Sequence, residues 1–168
     1  MTYDELVALK ADFTGMDEAQ AEQKGRGLYR ALYLDGDSPF GNRQAHDGQP
    51  VAFYLTGQHG FDHGFFTSSD LTGHSLRKDV LAVDRLERMP WIGPIIRGEV
   101  KDVEYRKETF RRGQALFEKR LYLLPQEGYV VWLEPQTTRG GFKFATAFNP
   151  AASVLAGYRR KTLLVKVF

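Results

Sequence analysis

From about residue 100 the chain alternates between aromatic or β-branched runs and short turn signals, and this pattern constrains the fold more than any other feature. The runs are VEYR (103–106), ALFEKRLYLL (115–124), YVVWLEP (129–135) and FKFATAFN (142–149), separated by ETFRRGQ, PQEG and QTTRGG. Side chains of this kind fit a pleated, half-buried surface. Connections this short join antiparallel neighbours, because a parallel pair needs a crossover of about a dozen residues or more. The spacing predicts an antiparallel meander of about four strands, then a short helix at 151–158 and a last strand, TLLVKVF.

The first half reads differently. Residues 3–12 and 17–34 have helical composition, and Asp17 is placed to cap the second segment. A Gly-, Asp- and Asn-rich loop follows at 35–50, then a strand, VAFYLT, at 51–56. After an irregular, glycine-rich stretch, a helix is expected at 75–88, packing through Leu76, Val80, Val83 and Leu86, with a second turn at 91–97 beyond Pro90. The fold class expected is α+β, with N-terminal helices packed on a C-terminal antiparallel sheet. A chain of 168 residues, 42% of them apolar, suits one compact domain. Within it, residues 1–56 form a helical accessory segment and 57–168 carry the sheet.

No apolar run reaches the ~20 residues that cross a bilayer, and MTYDELVALKADF lacks the pattern of a signal peptide. The expectation is a cytoplasmic protein without a membrane partner. The absence of cysteine excludes disulfides, thiolate metal sites and a cysteine nucleophile. The net charge of +2 conceals an asymmetry: residues 1–73 carry five Lys/Arg against eleven Asp/Glu, residues 74–168 eighteen against ten. A basic half of this kind attracts polyanions, nucleic acid foremost; the alternative is a solvated surface of mixed charge.

Candidate chemistry gathers at the start of the expected 75–88 helix. His74, Arg77 and Lys78 share one helical face there and can converge on an anion, aided by the amides of the first turn. The structural alternative is that Thr72 or Ser75 caps the helix while the basic pair faces solvent. In the strands, period-2 alternation sets Phe117, Lys119 and Leu121 on one face and Glu118, Arg120 and Tyr122 on the other. The same rule aligns Thr146 with Phe142, Phe144 and Phe148, a hydroxyl within an aromatic face. HGFDH places His59 and His63 four residues apart, but no third metal ligand has a recognisable spacing, and the glycines argue against a helix aligning the rings. His46 lies in a polar loop and is given no role. GLYRALY, FFTSS and then Glu118 or Glu134 supply the parts of an NAD-using ADP-ribosyltransferase at loose spacing. Phosphate-loop and dinucleotide-binding glycine motifs are missing.

Arg85 and Arg88 before MPWI, the Lys119-Arg120 strand, YVVWL and Thr146-Ala147-Phe148 follow one another in an order that resembles the barnase–EndoU–colicin–RelE-like ribonuclease superfamily, in its phage and toxin branches. The resemblance spans about residues 61–150, and residues 1–50 lie outside it. It implies a metal-independent endoribonuclease, a toxin or phage effector without cofactor, leaving 2′,3′-cyclic phosphate and 5′-hydroxyl ends. His74 would then act as base or acid, and Arg77 and Lys78 would bind the phosphate. Arg120 or Lys119 would add charge from the sheet, and Thr146 would donate a hydrogen bond. Ser75 and Tyr122 would contact substrate, Tyr122 by stacking on a base. RNA and an acidic cognate inhibitor are the partners implied. An ADP-ribosyltransferase-like effector and a non-catalytic RNA-binding phage protein are the alternatives.

Overall fold

The computed structural model describes residues 1–35, 43–70, 72, 77–137 and 139–168. Two capping boxes start the N-terminal helices: Thr2 with Glu5 opens α1 (Tyr3–Val7), and Asp17 with Gln20 opens α2 (Glu18–Tyr29). A π-helical turn, Arg30–Leu34, extends α2. Next come β1 (Val51–Ala52), α3 (Phe61–Phe65), β2 (Phe66–Thr67), β3 (Val80–Leu81) and α4 (Val83–Glu87). A 3₁₀ turn at Met89–Trp91 leads into α5 (Ile92–Ile96). The sheet strands are β4 (Glu104–Arg112), β5 (Ala115–Leu124), β6 (Tyr129–Pro135) and β7 (Phe142–Phe148), followed by α6 (Ala152–Lys161) and β8 (Leu163–Val167).

The class is α+β, but the sheet is larger and less uniform than the sequence suggests. It has six strands in the order β1-β7-β6-β5-β4-β8. β4 through β7 pair antiparallel with their sequence neighbours, β8 joins β4 antiparallel, and β1 lies parallel to β7. The sheet is therefore mixed, not a four-stranded meander, and α6 follows it, so the helices are not all N-terminal. β4 also runs through the expected ETFRRGQ turn, because Thr109 and Phe110 pair with Glu118 and Phe117, leaving only Gly113 and Gln114 as the loop. Among the described residues no helix is long and apolar enough to cross a membrane.

The expected 75–88 helix is also corrected. Leu76 lies outside the described residues. Val80 and Leu81 pair with Thr67 and Phe66 as a two-stranded ribbon, and only 83–87 is helical. A β-branched residue at 80 suits an extended backbone, and the ribbon is extended by Asp79 N–H donating to the Thr67 carbonyl. Val80 and Val83 stay 41% and 37% exposed, so among the described residues of the proposed packing face only Leu86 is buried.

Two cores flank the sheet. The inner one packs α1–α5 against β5–β7 through Tyr29, Tyr33, Phe61, Phe65, Trp91 and Phe144, all fully buried. The outer one is small: Leu121, Leu123, Val130, Trp132 and Ala145 lie under Leu155 and Tyr158 of α6. Because α6 covers only part of the outer face, the remainder of that face is left open for a site.

Candidate functional site

Alternation along β5 sends Lys119 to the outer face and Arg120 and Tyr122 to the inner one. The two sets cannot meet across a sheet. Arg120 is 5% exposed, and its guanidinium donates to both carboxylate oxygens of Asp47 at 2.8 and 2.6 Å while lying 4.0 Å from the Phe142 ring. Tyr122 is fully buried, its hydroxyl 2.8 Å from Nδ1 of His46. Both belong to the packed interior, and stacking of Tyr122 on a base is ruled out by its burial. His46, read as a bland loop residue, is built into this cluster between Tyr105, Tyr122 and Phe168.

On the outer face a cleft of about 180 Å³ is lined by His63, Glu108, Lys119, Trp132, Glu134 and Thr146, with Tyr158 and Lys161 of α6 closing one side. Thr146 reaches it through a β-bulge. Trp132 pairs with Thr146 but the next residue, Leu133, pairs with Phe144, so Ala145 is the extra residue. The bulge shifts the alternation: Phe142 and Phe144 stay in the inner core, whereas Thr146 turns into the cleft and Phe148 packs with the outer cluster. The expected alignment of Thr146 with Phe142 and Phe144 is thereby corrected.

His63 arrives on α3, a helix against which the glycines of HGFDH argue. They serve close packing instead. A Cβ on Gly64 would lie 3.3 Å from the Phe144 ring, so the helix sits directly on β7. A Cβ on Gly60, the N-cap, would meet backbone atoms of Leu55 and Thr56 at 2.7–2.8 Å. Gly60→Ala is therefore expected to move α3 and to cost about 1–3 kcal/mol, measured by chemical denaturation, with any activity of the cleft falling in parallel.

The titrating groups in the cleft and His59 beside it, in the adjoining depression, interact. His59 Nε2 lies 3.0 Å from Glu134 and Lys119 Nζ 3.7 Å from the other Glu134 oxygen. The His59 and His63 rings meet edge to face at 5.5 Å. Burial pushes both histidines below the ordinary value of 6.5; Glu134 opposes the shift at His59, while Lys78 and His59 reinforce it at His63. Lys78 is in turn lowered, first by desolvation and then by Arg85. His59 Nδ1 is buried without a hydrogen-bond partner among the described residues. The same residues contain no group of three His, Asp or Glu side chains arranged as metal ligands.

Of the residues singled out in sequence, Lys119 and Thr146 line the cleft, and Lys78 is close enough to act on His63. Arg77 is exposed beside Asp79. His74 and Ser75 lie outside the described residues. His63, His59 and Glu134 received no role in the ribonuclease reading; their i, i+4 histidine spacing was the available signal, but it pointed to a metal. The arginines of the resemblance are engaged elsewhere: Arg88 pairs with Glu127 at 2.6 Å, and Arg85 donates to the Gly64 carbonyl and covers the Phe148 ring. For the NAD reading, Glu118 pairs with Lys107 on the inner face, Ser69 is bonded to Asp79, and Glu134 alone reaches the cleft.

Compared with protein-family models, curated proteins and solved structures, the chain matches none.

Proposed function

We propose that the protein is a metal-independent endoribonuclease whose chemistry is carried out in the outer-face cleft. The observation that carries this reading is the meeting of His63, Lys119, Glu134 and Thr146 around one cavity. Cleavage by the RNA's own 2′-hydroxyl needs a proton acceptor, a proton donor and groups that hold charge on the pentavalent phosphorus. Neutral His63 takes the 2′-hydroxyl proton as the 2′-oxygen bonds to phosphorus. The P–O5′ bond then breaks, and the leaving oxygen takes a proton from His59 in its imidazolium form, which the Glu134 carboxylate 3.0 Å away stabilises. Lys119 and Lys78 neutralise the phosphorane oxygens, and the Thr146 hydroxyl donates to one of them.

RNA is the substrate in this reading, the host or target cytoplasm the place of action, and an acidic inhibitor protein the partner that fits these cations. The test is incubation of the purified protein with total RNA in excess EDTA, followed by mapping of the ends. Chains ending in 2′,3′-cyclic phosphate and starting with 5′-hydroxyl are expected. Intact RNA, or 5′-phosphate ends made only with a divalent ion, would overturn the proposal.

A further inference from the structure

Next to the cleft, and sharing Glu134 with it, lies a second depression of about 190 Å³. Its floor is the cross-strand pair Phe110 and Phe117, half-buried rings with centroids 5.7 Å apart and planes 29° from parallel. Arg112 and Lys143 stand at its rim, and Lys119 lies 5.3 Å over the Phe110 ring on the side toward the cleft. An aromatic pair near a hairpin tip commonly serves strand pairing alone. Here two further features coincide: cations flank the rings, and the depression continues into the cleft. Aromatic faces bordered by cations form the surface on which unpaired bases stack while their phosphates are held. Phe117 and Lys119 are two residues apart on β5, a separation of about 7 Å, which suits one nucleotide step. A duplex keeps its base faces covered and cannot use such a floor.

We infer that Phe110 and Phe117 form a stacking subsite for the nucleotide beside the scissile phosphate, with Arg112 and Lys143 on the following phosphate, so that the protein selects single-stranded nucleic acid. The inference rests on the cleft being the nuclease site, and its test separates the two ideas. The probe is a fluorescein-labelled single-stranded deoxyoctanucleotide, which lacks the 2′-hydroxyl, measured by anisotropy against the same sequence as duplex. Tighter binding of the single strand is expected, weakened roughly tenfold to a hundredfold in Phe117→Leu and restored in Phe117→Tyr. Arg112→Ala should reduce the salt slope by about one counterion. Melting temperatures identify any variant that fails through unfolding, and the Tyr variant then decides. Equal affinity for single strand and duplex, or Phe117→Leu binding like wild type, overturns the subsite even if RNA is cleaved. Single-strand binding lost in Phe117→Leu, with RNA left intact, upholds the single-strand stacking surface but removes the nuclease reading and, with it, the place of that surface beside a scissile phosphate.

Discussion

His63→Ala should reduce RNA cleavage by about 10²–10⁴-fold, the usual contribution of one positioned acid–base group, while altering stability by no more than about 1 kcal/mol. The pH dependence adds an independent readout. Burial, Lys78 and His59 hold His63 below 6.5, so the base stays unprotonated and activity should persist into mildly acid solution, falling only beneath 6.5. Removing the positive charge in Lys78→Ala raises the His63 pKa, and the acid limb of kcat/KM should move to higher pH. The same shift sets a sign for stability. Because folding lowers the pKa, the unfolded chain binds the proton first. The His63 contribution is complete above 6.5 and is lost as pH falls through the lower folded value. Cleavage that survives in His63→Ala, or an acid limb unmoved in Lys78→Ala, removes His63 from the mechanism.

The strands of this site were legible in the sequence because each is a local statement. Alternation in ALFEKRLYLL assigns Lys119 and Arg120 to opposite faces, and Asp17 marks where α2 begins. The site itself is not local. Thr146 faces the cleft only because the sheet inserts Ala145 as a bulge, a register choice that FKFATAF does not announce. His63 reaches the sheet because Gly64 permits contact with Phe144, so a residue read as a loop signal is a packing device. The spacing of apolar side chains predicts a helix through residues 77–82. They are extended because Val80 and Leu81 have partners in β2, which lies across an intervening stretch of chain. In each case a tertiary contact decides among conformations that the local sequence leaves open.

Asp47→Ala should destabilise the fold by about 2–3 kcal/mol, somewhat below the roughly 3–5 kcal/mol seen when one partner of a fully buried pair is removed. The reason for the smaller figure is that the Asp47 side chain retains 38% exposure, whereas that of Arg120 retains 6%, and water screens the more open partner. Removal of Asp47 leaves the guanidinium between Phe142 and Tyr105 with the longer ion pair to Glu118, 3.8 Å from Nε, which makes no hydrogen bond among the described residues. Arg120→Met is the informative counterpart. It removes the buried charge, keeps an apolar stem against Phe142, and leaves the carboxylate at the wetter end, so its cost should be about 1 kcal/mol or less. Arg120 faces the inner core, so cleavage by Arg120→Met should match wild type. The Asp47 carboxyl is pulled from 3.8 down to about 2, chiefly by hydrogen bonds from Arg120. A depressed folded pKa gives stability that is complete above 3.8 and lost as pH falls through about 2. The stability gap between wild type and Asp47→Ala, read by urea unfolding, should hold at neutral pH and narrow across that acid range. Loss of cleavage in a stable Arg120→Met would instead put the guanidinium back in the chemistry, and the outer-face cleft would no longer account for the site.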